Sequence, residues 1–149
     1  MNTILIATDG SEHAREALVF GLDLAVEQHV EPEVAHVAPA IDVLTTGGGF
    51  GVNAAMPHEL TDHDVAPLDE ARELAAERGV EVKTKLLRGE TVDELVAYAD
   101  TIDADLIIVG SRGQGKVASA LLGSVSQGVL HEARRPVLVV RGTQVPAPA

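Results

Sequence analysis

The feature that most constrains the fold is a strict alternation of two kinds of segment along the chain. Short runs rich in β-branched and aliphatic residues alternate with longer segments whose apolar residues recur at helical spacing. Such alternation is typical of a parallel sheet whose strands are connected by helices. We therefore predict an α/β fold: a single doubly wound, Rossmann-like sheet of five parallel strands in the order 3-2-1-4-5, with helices on both faces.

The strand and domain limits follow from the same pattern. The predicted strands are residues 3–8, 33–38, 80–87, 105–110 and 136–141. Residues 44–57 carry glycines but no periodicity, and they do not open a helix directly after a strand, so a mobile loop is predicted there rather than a dinucleotide fingerprint. Residues 1–142 are expected to form one nucleotide-binding domain, and the Pro/Ala-rich segment 143–149 to be a frayed tail.

Local signals place four helices between these strands. Ser11 is the predicted N-cap of the first helix, whose apolar stripe is Ala14, Ala17, Leu18, Gly21, Leu24 and Ala25. The second helix is predicted to end at Gly79, after the stripe Val65, Leu68, Ala71 and Ala75. Capping boxes are predicted to open the third and fourth helices, at Thr91 with Glu94 and at Ser124 with Gln127.

Charge excludes two classes of partner. The 149 residues include 23 acidic and 11 basic side chains, for a formal net charge of -12, so nucleic acid and anionic membranes are poor partners. Without cysteine the chain forms no disulfide and no thiolate metal site. The N-terminal MNTILIATDG lacks a signal-peptide pattern and the apolar runs are strand-sized, which predicts a soluble cytoplasmic protein.

Composition also bears on the salt concentration at which the protein works. The chain has only three lysines and three aromatic residues beside its excess of acids. This combination resembles proteins of salt-loving organisms, in which dissolved salt screens the repulsion within a highly charged fold. An ordinary acidic bacterial protein is the alternative.

The segment GSRGQGKVASALLGS, residues 110–124, raises the question of which phosphate-binding loop it forms. Gly110, Gly115 and Lys116 match the start of the P-loop pattern, but Val117 stands where that pattern needs a hydroxyl. A second spacing fits: Gly110, two residues, Gly113, nine residues, then Gly123 and Ser124.

The predicted strand order gives this second spacing a mechanism. The turns after the first and fourth strands face each other where the order reverses, and ligands of open parallel sheets bind there. Backbone N–H groups at Gly110 and Gly113, with the helix N-terminus at Gly123, would surround a di- or triphosphate. Asp9, across the crevice, would face a magnesium ion carried by the nucleotide.

At these residues the sequence resembles the ATP-binding branch of the universal stress protein family, whose motif is G-x2-G-x9-G-[ST]. The segments ILIATDGSEHAREAL, EVAHV, ADLIIVGSRG and RRPVLVVR extend the resemblance over nearly the whole chain. It implies a site for ATP or a related adenine nucleotide with magnesium. The implied contacts are Val37 at the adenine and, near the ribose and phosphates, Ala7, Thr8, Asp9, Val109, Gly110, Arg112, Gly113, Gly123, Ser124 and Val125.

The resemblance also implies a homodimer that pairs through the last strand, at Val137 to Val140. Lys116 is a departure, because the family motif does not account for it. Solvated surface roles remain open for both Arg112 and Lys116.

Several polar residues have structural alternatives. Asp9 also suits a cap for the turn with Gly10 and Ser11, and both roles are compatible. The set His58, Asp62, His63 and Asp64 suggests a metal site, but its spacing favours solvated surface. A buried, hydrogen-bonded histidine is the expectation for His36.

The sequence is compatible with two classes of function. One is a nucleotide-binding stress-response or signalling dimer without fast turnover, and the other is a slow ATPase or nucleotidyl-transfer enzyme. No Ser–His–acid or paired-carboxylate arrangement is evident, which favours binding over catalysis. A dimerisation module that has lost nucleotide binding is disfavoured by the complete motif.

Overall fold

The computed structural model describes residues 1–45, 53–112 and 122–142. Within these ranges the strands are β1 (Thr3–Ala7), β2 (Glu31–Ala38), β3 (Ile41–Thr45), β4 (Asn53–Pro57), β5 (Lys83–Arg88), β6 (Leu106–Gly110) and β7 (Val137–Val140). The helices are α1 (Glu12–Gln28), α2 (Asp62–Glu77), α3 (Thr91–Thr101) and α4 (Ser124–Glu132).

The main sheet confirms the predicted fold class. Its five strands run in the order β5-β2-β1-β6-β7, and every neighbouring pair is parallel. Counted within this sheet alone, the order is 3-2-1-4-5. The order reverses between β1 and β6, so the ends of these two strands meet at the crevice where a ligand site was expected.

Alternate residues of each strand supply two cores, one on each face of the sheet. Ile4 and Ile6 of β1 pack with Ile108 beneath α1 and α2. Leu5 packs with Ile107 on the opposite face, beneath α3 and α4. The central strands are thus buried on both faces, which is why their sequences are continuously apolar rather than alternating.

A hairpin corrects the loop prediction for residues 44–57. β3 and β4 pair antiparallel from Ile41 with Pro57 to Thr45 with Asn53, and residues 46–52 of the predicted loop lie outside the described ranges. Val43 is 60% exposed and Met56 52% exposed. Because the side chains at residues 41–43 and 54–57 are all exposed, these parts of the strands carry no alternating pattern that sequence reasoning would detect.

The helix predictions hold with local corrections. In α1, Leu22 is fully buried where Leu24 was predicted, and Leu24 packs at the rim of the core. α2 ends before Gly79, as predicted, and that glycine has a positive φ of 65°. Its Val65 is half-buried, while Leu74 is a buried position that the predicted stripe lacked.

Both predicted capping boxes are wrong by one position. The N-cap of α3 is Glu90, whose carboxylate accepts from the Asp93 backbone N–H at 2.7 Å. The N-cap of α4 is Gly123, without a side-chain cap. Thr91 and Ser124 are therefore the first residues inside their helices.

Two further predictions concern the chain as a whole. The tail 143–149 lies outside the described ranges. No helix among the described residues is long and apolar enough to cross a membrane.

Candidate functional site

A cavity of about 340 Å³ lies at the carboxyl ends of the central strands, on the side covered by α3 and α4. It opens at the point where the strand order reverses, as expected for an open parallel sheet. Its lining residues are Ala7, Thr8, Asp9, Ala14, Ala35, His36, Val37, Thr91, Leu95, Val109, Gly110, Arg112, Leu122, Gly123, Ser124, Val125 and Ser126.

The cavity brings together every predicted site residue that falls in the described ranges. Gly113 and Lys116 lie outside those ranges. Sequence reasoning did not include Thr91, Leu95 or Ser126 in the site, although all three line the cavity.

 Thr91 and Leu95 both belong to α3, where Leu95 follows Thr91 by one helical turn. Their position in the chain could have indicated a place in the site. The helix α3 begins shortly after β5, at the same edge of the sheet as the turns that follow β1 and β6.

The turn after β1 gives Asp9 a structural role. Its Oδ1 accepts from the Ser11 backbone N–H at 2.9 Å, and the Ser11 Oγ accepts from the Ala14 N–H at 3.2 Å, capping α1. Gly10 between them has a φ of 79°, a conformation that side chains disfavour. The same Asp9 lines the cavity, so turn formation and a position at the site coincide in this residue.

Gly110 meets a structural requirement besides the approach to phosphate predicted for it. A Cβ at this position would lie 2.8 Å from the backbone oxygen of His13 in α1. Gly110 is still paired within β6, opposite Val140, rather than in a left-handed turn. It permits the end of β6 to approach the start of α1, which closes one wall of the cavity.

The first turn of α4 forms the wall that adjoins the end of β6. The Gly123 backbone N–H donates to the Ser111 carbonyl at 2.7 Å, and α4 begins at Ser124. The N–H groups at the start of a helix have no partner within the helix and carry its positive dipole end. This wall therefore suits an anion.

The cavity lining combines apolar and charged groups. Leu95 and Val109 belong to the core on this face, and Val125 packs against it. Arg112 and Asp9 are the lining residues with full charges. Such a lining suits a ligand that has both an apolar ring and an anionic group.

His36 lies where the first cavity adjoins a second one of about 490 Å³. Its Nδ1 is 2.9 Å from the Thr8 carbonyl oxygen. Because a carbonyl only accepts, this nitrogen carries the proton. His36 is half-buried and hydrogen-bonded, and it links the ends of β1 and β2.

The solvated-surface interpretation is wrong for two members of the set His58, Asp62, His63 and Asp64. Asp64 is 5% exposed and accepts from the Thr61 backbone N–H at 2.8 Å, while His58 Nε2 lies 2.9 Å from its Oδ2. The hydrogen bond to Asp64, with a second one to Asp42, raises the pKa of His58. The Thr61 N–H and His58 in turn lower the pKa of Asp64. Asp62 and His63 are exposed, and no metal-binding cluster of three or more such side chains occurs among the described residues.

Comparison with known proteins decides the family. The model of the universal stress protein family matches residues 1–141. This chain belongs to the universal stress protein family. It is 35% identical to universal stress protein YxiE of Bacillus subtilis, over 94% of this chain and 99% of the relative. It is 32% identical to a universal stress protein of Methanocaldococcus jannaschii, over 93% of this chain and 81% of the relative.

Solved structures of the family share the fold. A universal stress protein in complex with cAMP superposes with a TM-score of 0.69 at 25% identity, covering 93% of this chain and 96% of that chain. The universal stress protein from Archaeoglobus fulgidus in complex with dAMP gives a TM-score of 0.63 at 27% identity, covering 93% and 96%. Both of those proteins hold an adenine nucleotide.

Proposed function

We propose that this universal stress protein binds ATP, or a related adenine nucleotide, with magnesium in the cavity between the ends of β1, β2 and β6 and the start of α4. The observation that carries the proposal is that all the motif and strand-end residues within the described ranges line this one cavity. That two solved relatives hold cAMP and dAMP supports an adenine nucleotide as the ligand.

Each part of the cavity suits one part of the nucleotide. Val37, at the end of β2, offers an apolar surface for the adenine ring. The N–H groups at the start of α4 suit the phosphates, because they combine hydrogen-bond donors with the positive end of the helix dipole. Arg112 also lines the cavity and adds a cation to an otherwise acidic molecule.

Asp9 suits the magnesium ion that accompanies ATP. Magnesium in nucleotide sites is held by one or two carboxylates, phosphate oxygens and water rather than by a full protein cage. A single carboxylate at the cavity wall fits that pattern, and so does the lack of a larger acid and histidine cluster in the described ranges. The ion would neutralise phosphate charge beside Asp9.

The role proposed for the bound state is regulatory, without fast turnover. We infer a stress-response or signalling homodimer that pairs through β7 and whose nucleotide occupancy alters dimer stability or partner choice. Val137 and Val139 support the interface. The Pro136 carbonyl accepts from Ile107 of β6 and the Val140 carbonyl accepts from Ser111, directly after β6. The alternate peptide groups of Val137 and Val139 therefore point to the other edge. The cytoplasm is the proposed location.

Composition and motif also bear on the organism and on the branch of the family from which the chain comes. We propose that the chain comes from a halophilic archaeon and belongs to the ATP-binding branch of its family. The net charge of -12 and the scarcity of lysine support the first part, and the motif at Gly110, Gly113, Gly123 and Ser124 supports the second.

The test is mass spectrometry of nucleotide that co-purifies with the protein, repeated on two variants. Gly123→Val is expected to lose the nucleotide, because a branched side chain at the start of α4 obstructs the approach of phosphate to its N–H groups. Lys116→Ala is expected to retain most of it. Loss of nucleotide in Lys116→Ala alone would instead favour a P-loop mechanism, and phosphate release on a timescale of seconds would favour an ATPase.

A further inference from the structure

Ser126 is an unusual residue for its position. It lies in the first turn of α4, its exposure is 2%, and its neighbours along the buried face of that helix are apolar. Alanine would favour the helix more and would bury no polar group. A serine at this position therefore needs a hydrogen-bonded role that offsets its cost.

Two carbonyl oxygens share the Ser126 hydroxyl proton. The Oγ lies 3.1 Å from the Ser111 oxygen and 3.0 Å from the Gly123 oxygen. The Ser111 oxygen also accepts from the Gly123 N–H at 2.7 Å. Ser126 and Gly123 thus bind the same acceptor, which directly follows β6.

We propose that Ser126 is a positioning residue that holds the start of α4 in the orientation that binds the nucleotide phosphates. This inference rests on the proposed function and deepens it. The Ser111 carbonyl is fixed by the sheet, because the Ser111 N–H donates to the Val140 oxygen of β7 at 2.9 Å. The Ser126 hydroxyl extends that fixed point into the first turn of the helix.

Few other hydrogen bonds hold this end of the helix. Gly123 provides no side-chain cap, and the Gln127 side chain donates only to the nearby Leu122 carbonyl, at 2.7 Å. Among the described residues, the hydrogen bonds between the start of α4 and the end of β6, from the Gly123 N–H and the Ser126 hydroxyl, both converge on the Ser111 carbonyl. Removing the hydroxyl leaves one of them, so the helix start would sample other orientations.

Loss of the Ser126 hydrogen bond should weaken the binding of ligands that carry phosphate more than the binding of those that do not. The apparent affinity for a ligand falls in proportion to the fraction of molecules in the binding-competent state. Phosphates would contact the α4 N–H groups, whereas an adenine at Val37 lies against β2. Binding of ATP should therefore weaken while binding of adenosine does not.

The experiment is calorimetric titration of wild type and Ser126→Ala with magnesium-ATP and, separately, with adenosine. Ser126→Ala is expected to weaken ATP binding by about tenfold, the equivalent of losing one hydrogen bond, and to change adenosine binding by less than about twofold. Thr101→Ala is the matched control, since it removes a hydroxyl-to-carbonyl bond in α3 that is exposed. It should leave both affinities unchanged.

Four results would overturn the inference. Equal weakening of ATP and adenosine would mean a general structural role, and unchanged ATP binding would mean that the hydroxyl does not position the helix. Wild type that binds neither ligand would refute the proposed function itself, and the inference with it. Amide exchange of unliganded protein adds a readout that needs no nucleotide: the Gly123 N–H should exchange faster in Ser126→Ala, and an unchanged rate would contradict the inference.

Discussion

His58 Nε2 lies 2.9 Å from the Asp64 Oδ2, and this contact joins the end of the hairpin to the start of α2. The other ring nitrogen of His58 lies 2.7 Å from the Asp42 Oδ1 of β3, and Arg88 of β5 donates to the His58 backbone oxygen. One side chain therefore connects two elements through two carboxylates. Protonated histidine suits this position best, because both nitrogens then donate.

This contact predicts a pH dependence of stability. The pKa of His58 is raised in the folded protein, above an unfolded value of about 6.5. Its stabilising contribution is therefore complete below about pH 6.5 and is lost as pH rises through the folded pKa. The melting temperature of wild type should exceed that of His58→Gln most at low pH, and the difference should shrink as pH rises.

His63→Gln is the matched control for the pH series, because His63 is an exposed histidine that precedes Asp64 directly in α2. It should follow wild type at every pH. A wild-type advantage over His58→Gln that stays constant from pH 5 to 9 would contradict the assignment of a charged His58. Asp64 contributes to stability with the opposite pH dependence. Because its pKa is lowered in the folded protein, its stabilising contribution is lost only as pH falls through that lowered value.

Gly110 gives a prediction about packing and binding together. Gly110→Ala would place a Cβ 2.8 Å from the His13 oxygen, and overpacking of this kind costs about 1–3 kcal/mol. Because the displaced segment borders the cavity, nucleotide affinity should fall as well. Denaturant unfolding and nucleotide titration measure the two effects.

Gly79 provides the comparison for Gly110. Nothing lies within 4 Å of a Cβ there, but its φ is 65°, so Gly79→Ala should cost roughly 1–2 kcal/mol through backbone strain alone. Nucleotide affinity should be unaffected, since Gly79 does not line the cavity. Equal affinities for Gly110→Ala and wild type would show that the contact with α1 does not shape the site.

The proposed dimer predicts a change of mass. Val139→Pro removes an N–H that points away from β6 and so should disrupt pairing with a second copy while sparing the bonds to β6. Light scattering should give half the wild-type mass. Lys85→Ala, on the opposite edge strand β5, should remain dimeric, and a monomeric wild type would refute the interface.

The halophilic proposal predicts a response to salt. Repulsion among the carboxylates falls as the Debye length shrinks from about 30 Å at 0.01 M to about 3 Å at 1 M. An adapted surface should raise the melting temperature with potassium chloride into the molar range. A plateau below about half molar, for a protein well folded in dilute buffer, would favour an ordinary acidic protein instead.

The sequence carried enough information for the sheet but not for the hairpin. Ile6 and Ile108 belong to strands buried on both faces, so their runs are continuously apolar and easy to recognise. Val43 and Met56 are exposed, so nothing in their spacing marks a strand. Turn geometry was predictable at Asp9, where Gly10 and Ser11 follow directly.

Contacts between distant segments were the part that sequence patterns could not supply. The capping boxes are predicted one residue late because the N-caps are Glu90 and Gly123, neither of which is the Ser or Thr that the capping-box pattern requires. His58 and Asp64 form a contact that depends on where the hairpin ends. The hydrogen bond of Ser126 likewise depends on the Ser111 carbonyl, 15 residues earlier in the chain.

The most direct test of the proposed function is calorimetric titration of the purified wild-type protein with magnesium-ATP, in dilute buffer and again in about 2 M potassium chloride, where repulsion between the protein and the nucleotide is screened. One nucleotide should bind per chain, with a dissociation constant below about 1 mM. A folded protein that gives no binding signal with millimolar nucleotide in either buffer would contradict it.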